Sequence, residues 1–186
     1  MGRIPAETLA AELDDVRSRG VTSLLIDLRN LADTDPRSVV PAAGLFLSGP
    51  LLRLKDRAGE LVESVDSAGE GTAWQGSVVV LVNGATAGSA EALARLVQED
   101  LGGTVVGERT YGLGSEGRLY EMEGGSGLVV SATVWETAAG ARWNGDGVEP
   151  DETIRGRGTE YAERHQDQLD QALEFIEKPP AERDAA

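Results

Sequence analysis

The stretch "SVVVLVNGATAGSAEALARLVQED", residues 77–100, decides the fold. Its first part, SVVVLVN (77–83), is a continuous apolar run, too uniform for a strand wetted on one face, and reads as a buried strand. A tight loop of small residues follows. From Thr86 or Ser89 to about Asp100 the pattern turns helical, with Ala90, Leu93, Ala94 and Val97 on one face. Strand, loop and helix in this order form the repeating unit of a parallel sheet. A small-residue loop at a strand's end is also a place where hydrolases hold a nucleophile, and one serine, Ser89, sits in it.

Working outward, SLLIDL (23–28) is a second short apolar strand. It follows a helix over 7–19 in which Leu9, Leu13 and Val16 keep helical spacing and Gly20 is the stop. TVVGE (104–108) is a third buried strand and leads into the glycine-rich loop RTYGLGSEG. The spacing predicts a mostly parallel α/β sheet with flanking helices. Between the first two strands come a short helix over 38–47, with Pro41 in its first turn, and a small exposed hairpin over 51–65 around the turn-like DRAG. Residues 118–137 read as two antiparallel strands joined by GGSG, and 141–151 as a turn-rich loop. A last helix over 159–177 puts Leu169, Leu173 and Ile176 on one face. The expected organisation is one domain over 1–178 with a flexible tail at 179–186.

The chain has 186 residues, 40 % of them hydrophobic, enough for one domain with a core. Its 17 basic and 32 acidic residues give a net charge of −15. That charge repels phosphate backbones and anionic lipid, so no nucleic-acid partner is expected. No apolar run reaches the roughly 18 residues of a membrane span, and the start MGRIPAETLAAEL has no signal-peptide core. The absence of cysteine excludes disulfides and thiolate chemistry. One histidine among scattered acids gives no metal-ligand spacing, and neither GLGSEG nor GGSG follows a phosphate-loop pattern. No metal or cofactor is expected.

Five segments together resemble the tail-specific, or C-terminal processing, serine protease family. GVTSLLIDLRN is similar to the family's strand ending in DLRNNPGG, and SVVVLVNGATAGSAEALARLVQED to its VVLVN followed by SASASE and a helix. VVGERTYGLGS is similar to VGEKTFGKGS, GDGVEPD to GxGIxPD, and DQLDQALEFI to the closing DxQLxxALxxL helix. The resemblance runs over about residues 8–176 and implies a ClpP/crotonase-like core and a periplasmic or extracytoplasmic setting. Nothing in the chain resembles the PDZ domain that usually accompanies that core.

The resemblance also places the family's catalytic residues, and here the chain departs from the pattern. The nucleophile, the middle serine of SASASE, falls on Gly88; the lysine base falls on Leu113; the glutamine that orients the lysine falls on Gly117. The glycine pair that lends an oxyanion N–H falls on Asp33 and Thr34. A carboxylate beside a developing oxyanion has the wrong sign of charge. The two lysines, Lys55 in the hairpin and Lys178 in the tail, offer no buried base.

Ser89 has two readings: N-cap of the helix, supported by Glu91 in the first turn, or a shifted nucleophile at a helix N-terminus. His165 lies in the polar stretch YAERHQDQL and reads as solvated; the alternative is a base for Ser89. Arg29 and Glu108 read as an ion pair or loop hydrogen bonds fixing two strand ends, and Asp27 as a loop-fixing residue. With Tyr111 and Trp143 the first two are also candidates for a peptide groove, although partial burial is the plainer reading of Trp74, Trp135 and Trp143. The expectation is a serine-type peptidase homologue without catalysis, which holds an unstructured peptide or protein C-terminus by adding it as a strand. The alternatives are an active endopeptidase using Ser89 and a structural module that assembles with itself.

Overall fold

The computed structural model describes residues 6–177 apart from Glu70, Thr72, Ala73 and Gln75; Lys178 and the expected tail at 179–186 lie outside the described residues. Helix α1 (Ala6–Ser18) leads into β1 (Ser23–Asp27). The two-residue strand β2 (Ala32–Asp33), a 3-10 turn (Pro36–Val39) and the short helix α2 (Val40–Ala43) follow. Then come β3 (Gly49–Lys55), β4 (Leu61–Ser67), β5 (Ser77–Val82), β6 (Ala87–Gly88) and α3 (Ser89–Asp100). The chain closes with β7 (Thr104–Gly107), β8 (Ser115–Glu121), β9 (Gly127–Thr137), β10 (Glu152–Thr153) and α4 (Tyr161–Glu177).

Four strands form a parallel sheet in the order β1-β5-β7-β10. β5 is apolar throughout because both of its faces are covered. Val78, Val80 and Val82 point into the larger core with Leu13 of α1 and Leu93 and Val97 of α3, while Val79 and Leu81 meet Ala172 and Phe175 of α4. The α/β reading of the sequence thus holds for this half of the molecule.

The other half corrects it. The hairpin expected to be small and exposed is half of an antiparallel sheet, β4-β3-β9-β8. Leu51, Leu52, Leu54 and Val65 are buried in it, and a register shift between Pro50 and Leu52 lets two consecutive leucines face inward. β3 is interior because residues 52–55 pair with 134–137, a contact that local patterning cannot reveal. The last helix turns much the expected face: Leu169 and Ile176 pack against the core beside the buried Gln168, Ala172 and Phe175, and of the three expected residues Leu173 is exposed.

Candidate functional site

In a parallel sheet all strands end at one edge, and loops collected there build ligand sites. Here the loops after β1, β5 and β7 converge. Thr86 Oγ1 donates to the Leu28 carbonyl at 2.9 Å and accepts from the Asn83 N–H at 3.0 Å. The Tyr111 N–H reaches the Thr86 carbonyl at 3.0 Å, and the Ala87 N–H reaches the Leu31 carbonyl at 2.9 Å. Gly88, on which the resemblance placed the nucleophile, ends this turn at φ 68° and ψ −123°, a conformation that glycine tolerates and side chains rarely adopt.

What faces Gly88 is backbone. β2 and β6 pair in parallel, Ala32 with Ala87 and Asp33 with Gly88. A Cβ on residue 88 would lie 1.8 Å from the Asp33 carbonyl oxygen and 2.8 Å from its carbon. The space for a side chain at residue 88 is occupied by a backbone hydrogen-bond acceptor. The Asp33 carboxylate turns to its own loop and accepts the Asp35 N–H at 2.9 Å, while Thr34 is exposed.

Ser89 is not the N-cap. It is the first helical residue of α3, Gly88 is the cap, and the cap's N–H is bound by Glu91 Oε2 at 2.9 Å. The Ser89 side chain is among the buried polar ones, at 7 % exposure, and its hydroxyl takes no hydrogen-bond partner among the described residues. The capping expectation is corrected because the cap falls one residue earlier, on Gly88, whose own N–H is taken by Glu91.

Glu91 is the residue that sequence reasoning undervalued. It is completely buried, and its carboxylate accepts from Gly88 N–H, from Gly112 N–H and Leu113 N–H at 2.7 Å each, and from the Thr110 hydroxyl. Three backbone donors, a hydroxyl and the positive end of α3 surround one buried anion. The loop after β7 is thereby locked to the start of α3, which sets Leu113, on which the resemblance placed the lysine base, near Gly88. Thr110 Oγ1 in turn accepts the Val148 N–H at 2.7 Å. The pointer in the sequence was the glutamate three residues after a glycine that needs capping. Gly117, by contrast, lies exposed on β8, where a Cβ would press on Val129.

The groove candidates separate. Arg29 pairs with Asp27 and not with Glu108: its side chain is buried and makes a two-pronged bond to the carboxylate, Nε to Oδ1 at 2.9 Å and Nη2 to Oδ2 at 2.7 Å. Its Nη1 donates to the His165 carbonyl at 2.5 Å and to Gln168 Oε1 at 3.3 Å, docking α4 on the end of β1. Burial disfavours the charged Asp27, but the hydrogen bonds and charge of Arg29 outweigh it and hold the carboxyl below its ordinary range. Glu108 is exposed. Trp143 is corrected as a groove residue: it is 1 % exposed, packed edge-on against Trp135 with ring centroids 6.3 Å apart, and donates to the Leu113 carbonyl at 3.4 Å. Tyr111 remains on the surface at 68 % exposure.

The His165 ring stacks on Tyr161, centroids 5.4 Å apart, and lines a polar recess of about 140 Å³ with Asn83, Glu108, Arg164 and Gln168. Neither Gly88 nor Ser89 lines it, so histidine and serine are not brought together. Lys55 is bound to Glu136 at 2.6 Å, and Arg142 holds the same carboxylate at 2.9 Å. No group of acids and histidines able to hold a metal ion occurs among the described residues, and no described helix is long and apolar enough to cross a membrane.

Residues 1–154 match the model of peptidase family S41. The chain is 32 % identical over 147 residues to the chloroplastic C-terminal processing peptidase of Tetradesmus obliquus, a match covering 74 % of this chain and 30 % of that protein. It is 31 % identical over 156 residues to a carboxyl-terminal-processing protease of a Synechocystis strain, 83 % of this chain and 36 % of that one. The solved photosystem II D1 C-terminal processing protease superposes with a TM-score of 0.70 at 28 % identity, over 80 % of this chain and 39 % of that chain. The chain thus spans about a third of the length of the curated relatives it matches.

Proposed function

Because the chain belongs to peptidase family S41, we propose that it is a member with a ClpP/crotonase-like core and a closed proteolytic centre, a pseudopeptidase that holds extended peptides without cutting them. The observation that carries this reading is the Asp33 carbonyl oxygen at 1.8 Å from the Cβ position of residue 88. No serine fits at the nucleophile position while β2 is paired there, and the base position carries a hydrocarbon, Leu113. Covalent catalysis by this family's chemistry needs both groups within reach of each other.

Ser89 does not replace the missing nucleophile. It is buried, and the one histidine lines a recess that excludes it. The frame that supports this reading is Glu91, which ties the helix start to the loop after β7, and the outer strands β4 and β8, which among the described residues carry no further strand, so that an extended peptide can add there. The experiment is to incubate the chain, and its Ser89→Ala variant, with an unstructured protein ending in apolar residues. Binding is followed by fluorescence anisotropy and cleavage by mass spectrometry. Saturable binding with an unchanged substrate mass is expected from both proteins. Cleavage that vanishes in Ser89→Ala would overturn the reading.

A further inference from the structure

We propose that the outer end of the β8–β9 hairpin is a self-association surface, where residues 127–131 of β9 pair antiparallel with the same residues of a second copy of this chain. This inference does not depend on the lost catalysis. β9 has β8 along one side from Gly127 to Val134, but β3 lies on its other side only from Val134 to Thr137. Residues 127–131 therefore have a strand on one side only, among the described residues. Their alternate N–H and C=O groups present an open edge.

Beyond β3 the hairpin is a two-stranded ribbon, which in water is marginal by itself. It also exposes apolar groups on both faces. Cross-strand partners share a face, so Leu119 and Val129 lie on one, with Glu121 near the turn, and Tyr120, Leu128 and Val130 lie on the other, with Arg118 beside Val130. The five apolar side chains are 44 to 66 % exposed. A ribbon of this kind calls for a further strand.

Charge selects the occupant. With 32 acidic against 17 basic residues, two copies repel over most of their surface. The open edge of β9 reads GLVVS and carries no charge, whereas the outer edge of β8 carries Glu116, Arg118 and Glu121 and that of β4 carries Glu63 and Asp66. A neutral edge accepts a neutral strand, and the chain supplies that strand itself. With a two-fold axis at Val129, Leu128 faces Val130 and Gly127 faces Ser131, so no like charges meet. The two ribbons then become one four-stranded sheet with apolar side chains massed on both faces.

The chain has no cysteine, which makes the register directly testable. In the pairing above two copies of residue 129 are opposite one another, at the roughly 4.5–5.5 Å Cα separation of facing strands, within disulfide reach. Under mild oxidation Val129→Cys is expected to cross-link at least about tenfold faster than Val62→Cys, a valine on β4 that is exposed to 58 % against 66 % for Val129, because pairing raises the local thiol concentration to roughly millimolar. Sedimentation of the unmodified chain should give twice the 19.6 kDa of one copy. Val129→Glu, with an unchanged circular dichroism spectrum, should sediment as one copy, and Val129→Thr as two. A single-copy mass for the unmodified chain up to its solubility limit would overturn the proposal. So would a Val129→Glu variant that still sediments as two, or equal cross-linking at positions 62 and 129.

Discussion

At the residue scale the site is governed by two groups, Glu91 and Ser89, that differ in how fully their polar atoms are engaged. The Glu91 carboxylate is buried and accepts four hydrogen bonds, so Glu91→Gln replaces one acceptor oxygen by a donor that faces donors. A loss of roughly 3 kcal/mol in a denaturant melt is expected, from the cost of unmaking hydrogen bonds to a buried charge. Ser89 makes no such bond, and Ser89→Ala should leave stability within about 0.5 kcal/mol. A loss in the range of about 0.5–2 kcal/mol would mark it as a cap after all. The position of Gly88 was legible in the sequence, because counting back from Glu91 in the resemblance fixes it. Its occlusion was not, because the atom that fills the space belongs to a backbone 55 residues earlier.

At the scale of elements, the parallel sheet was legible and the antiparallel one was not. Runs such as SVVVLV announce burial on both faces without reference to any partner. β3 is interior only because β9 lies beside it, and the sequence pattern PLLRLK is equally at home on a surface hairpin. Leu169 and Ile176 of α4 pack on the core as expected, whereas Leu173 is exposed and the buried Gln168 was missed: its amide donates to the Ile154 carbonyl at 2.9 Å and accepts from Arg29. A count of apolar residues does not see a satisfied polar one. The Arg29–Asp27 pair that seats α4 on β1 has one partner buried and the other partly solvated. Asp27→Asn leaves the guanidinium without its counter-ion and should cost about 2–3 kcal/mol, less than the roughly 3–5 kcal/mol of a fully buried pair because Asp27 is partly solvated. The sign with pH follows from the depressed folded-state value of Asp27. Its contribution is complete above the unfolded pKa near ~3.9 and is lost as pH falls through the lower folded value. Glu136 behaves alike: burial opposes its ionisation, but Lys55 and Arg142 prevail and hold its carboxyl low. Denaturant midpoints should therefore fall below about pH 4, and more shallowly in Asp27→Asn than in the unmodified chain.

At the scale of the whole molecule, the place of the Asp33 carbonyl against residue 88 is a property of how the two halves meet. Pro36 and Val39 of the 3-10 turn are buried, which anchors the segment immediately after β2. Arg37 binds Glu63 of β4 through two nitrogens, Nε at 3.0 Å and Nη2 at 2.5 Å, and reaches Asp35 at 3.1 Å and Glu116 of β8 at 3.5 Å. That segment is thereby tied to the antiparallel sheet. On its other side β2 pairs with β6, at the end of the parallel sheet. The Asp33 carbonyl is thus held against the Cβ position of residue 88 by contacts from both sheets, and it cannot yield to a side chain there without breaking some of them. The net charge of −15 acts on the same scale, and raising salt at neutral pH should raise the melting temperature by screening self-repulsion.

The most direct measurement is the denaturant midpoint of Gly88→Ser. With the Asp33 carbonyl where the new Cβ must go, and with φ at 68°, the variant should lose roughly 3 kcal/mol or more. A Gly88→Ser protein as stable as the unmodified chain would contradict a closed centre, since it would mean that the serine finds the space that the family's nucleophile requires.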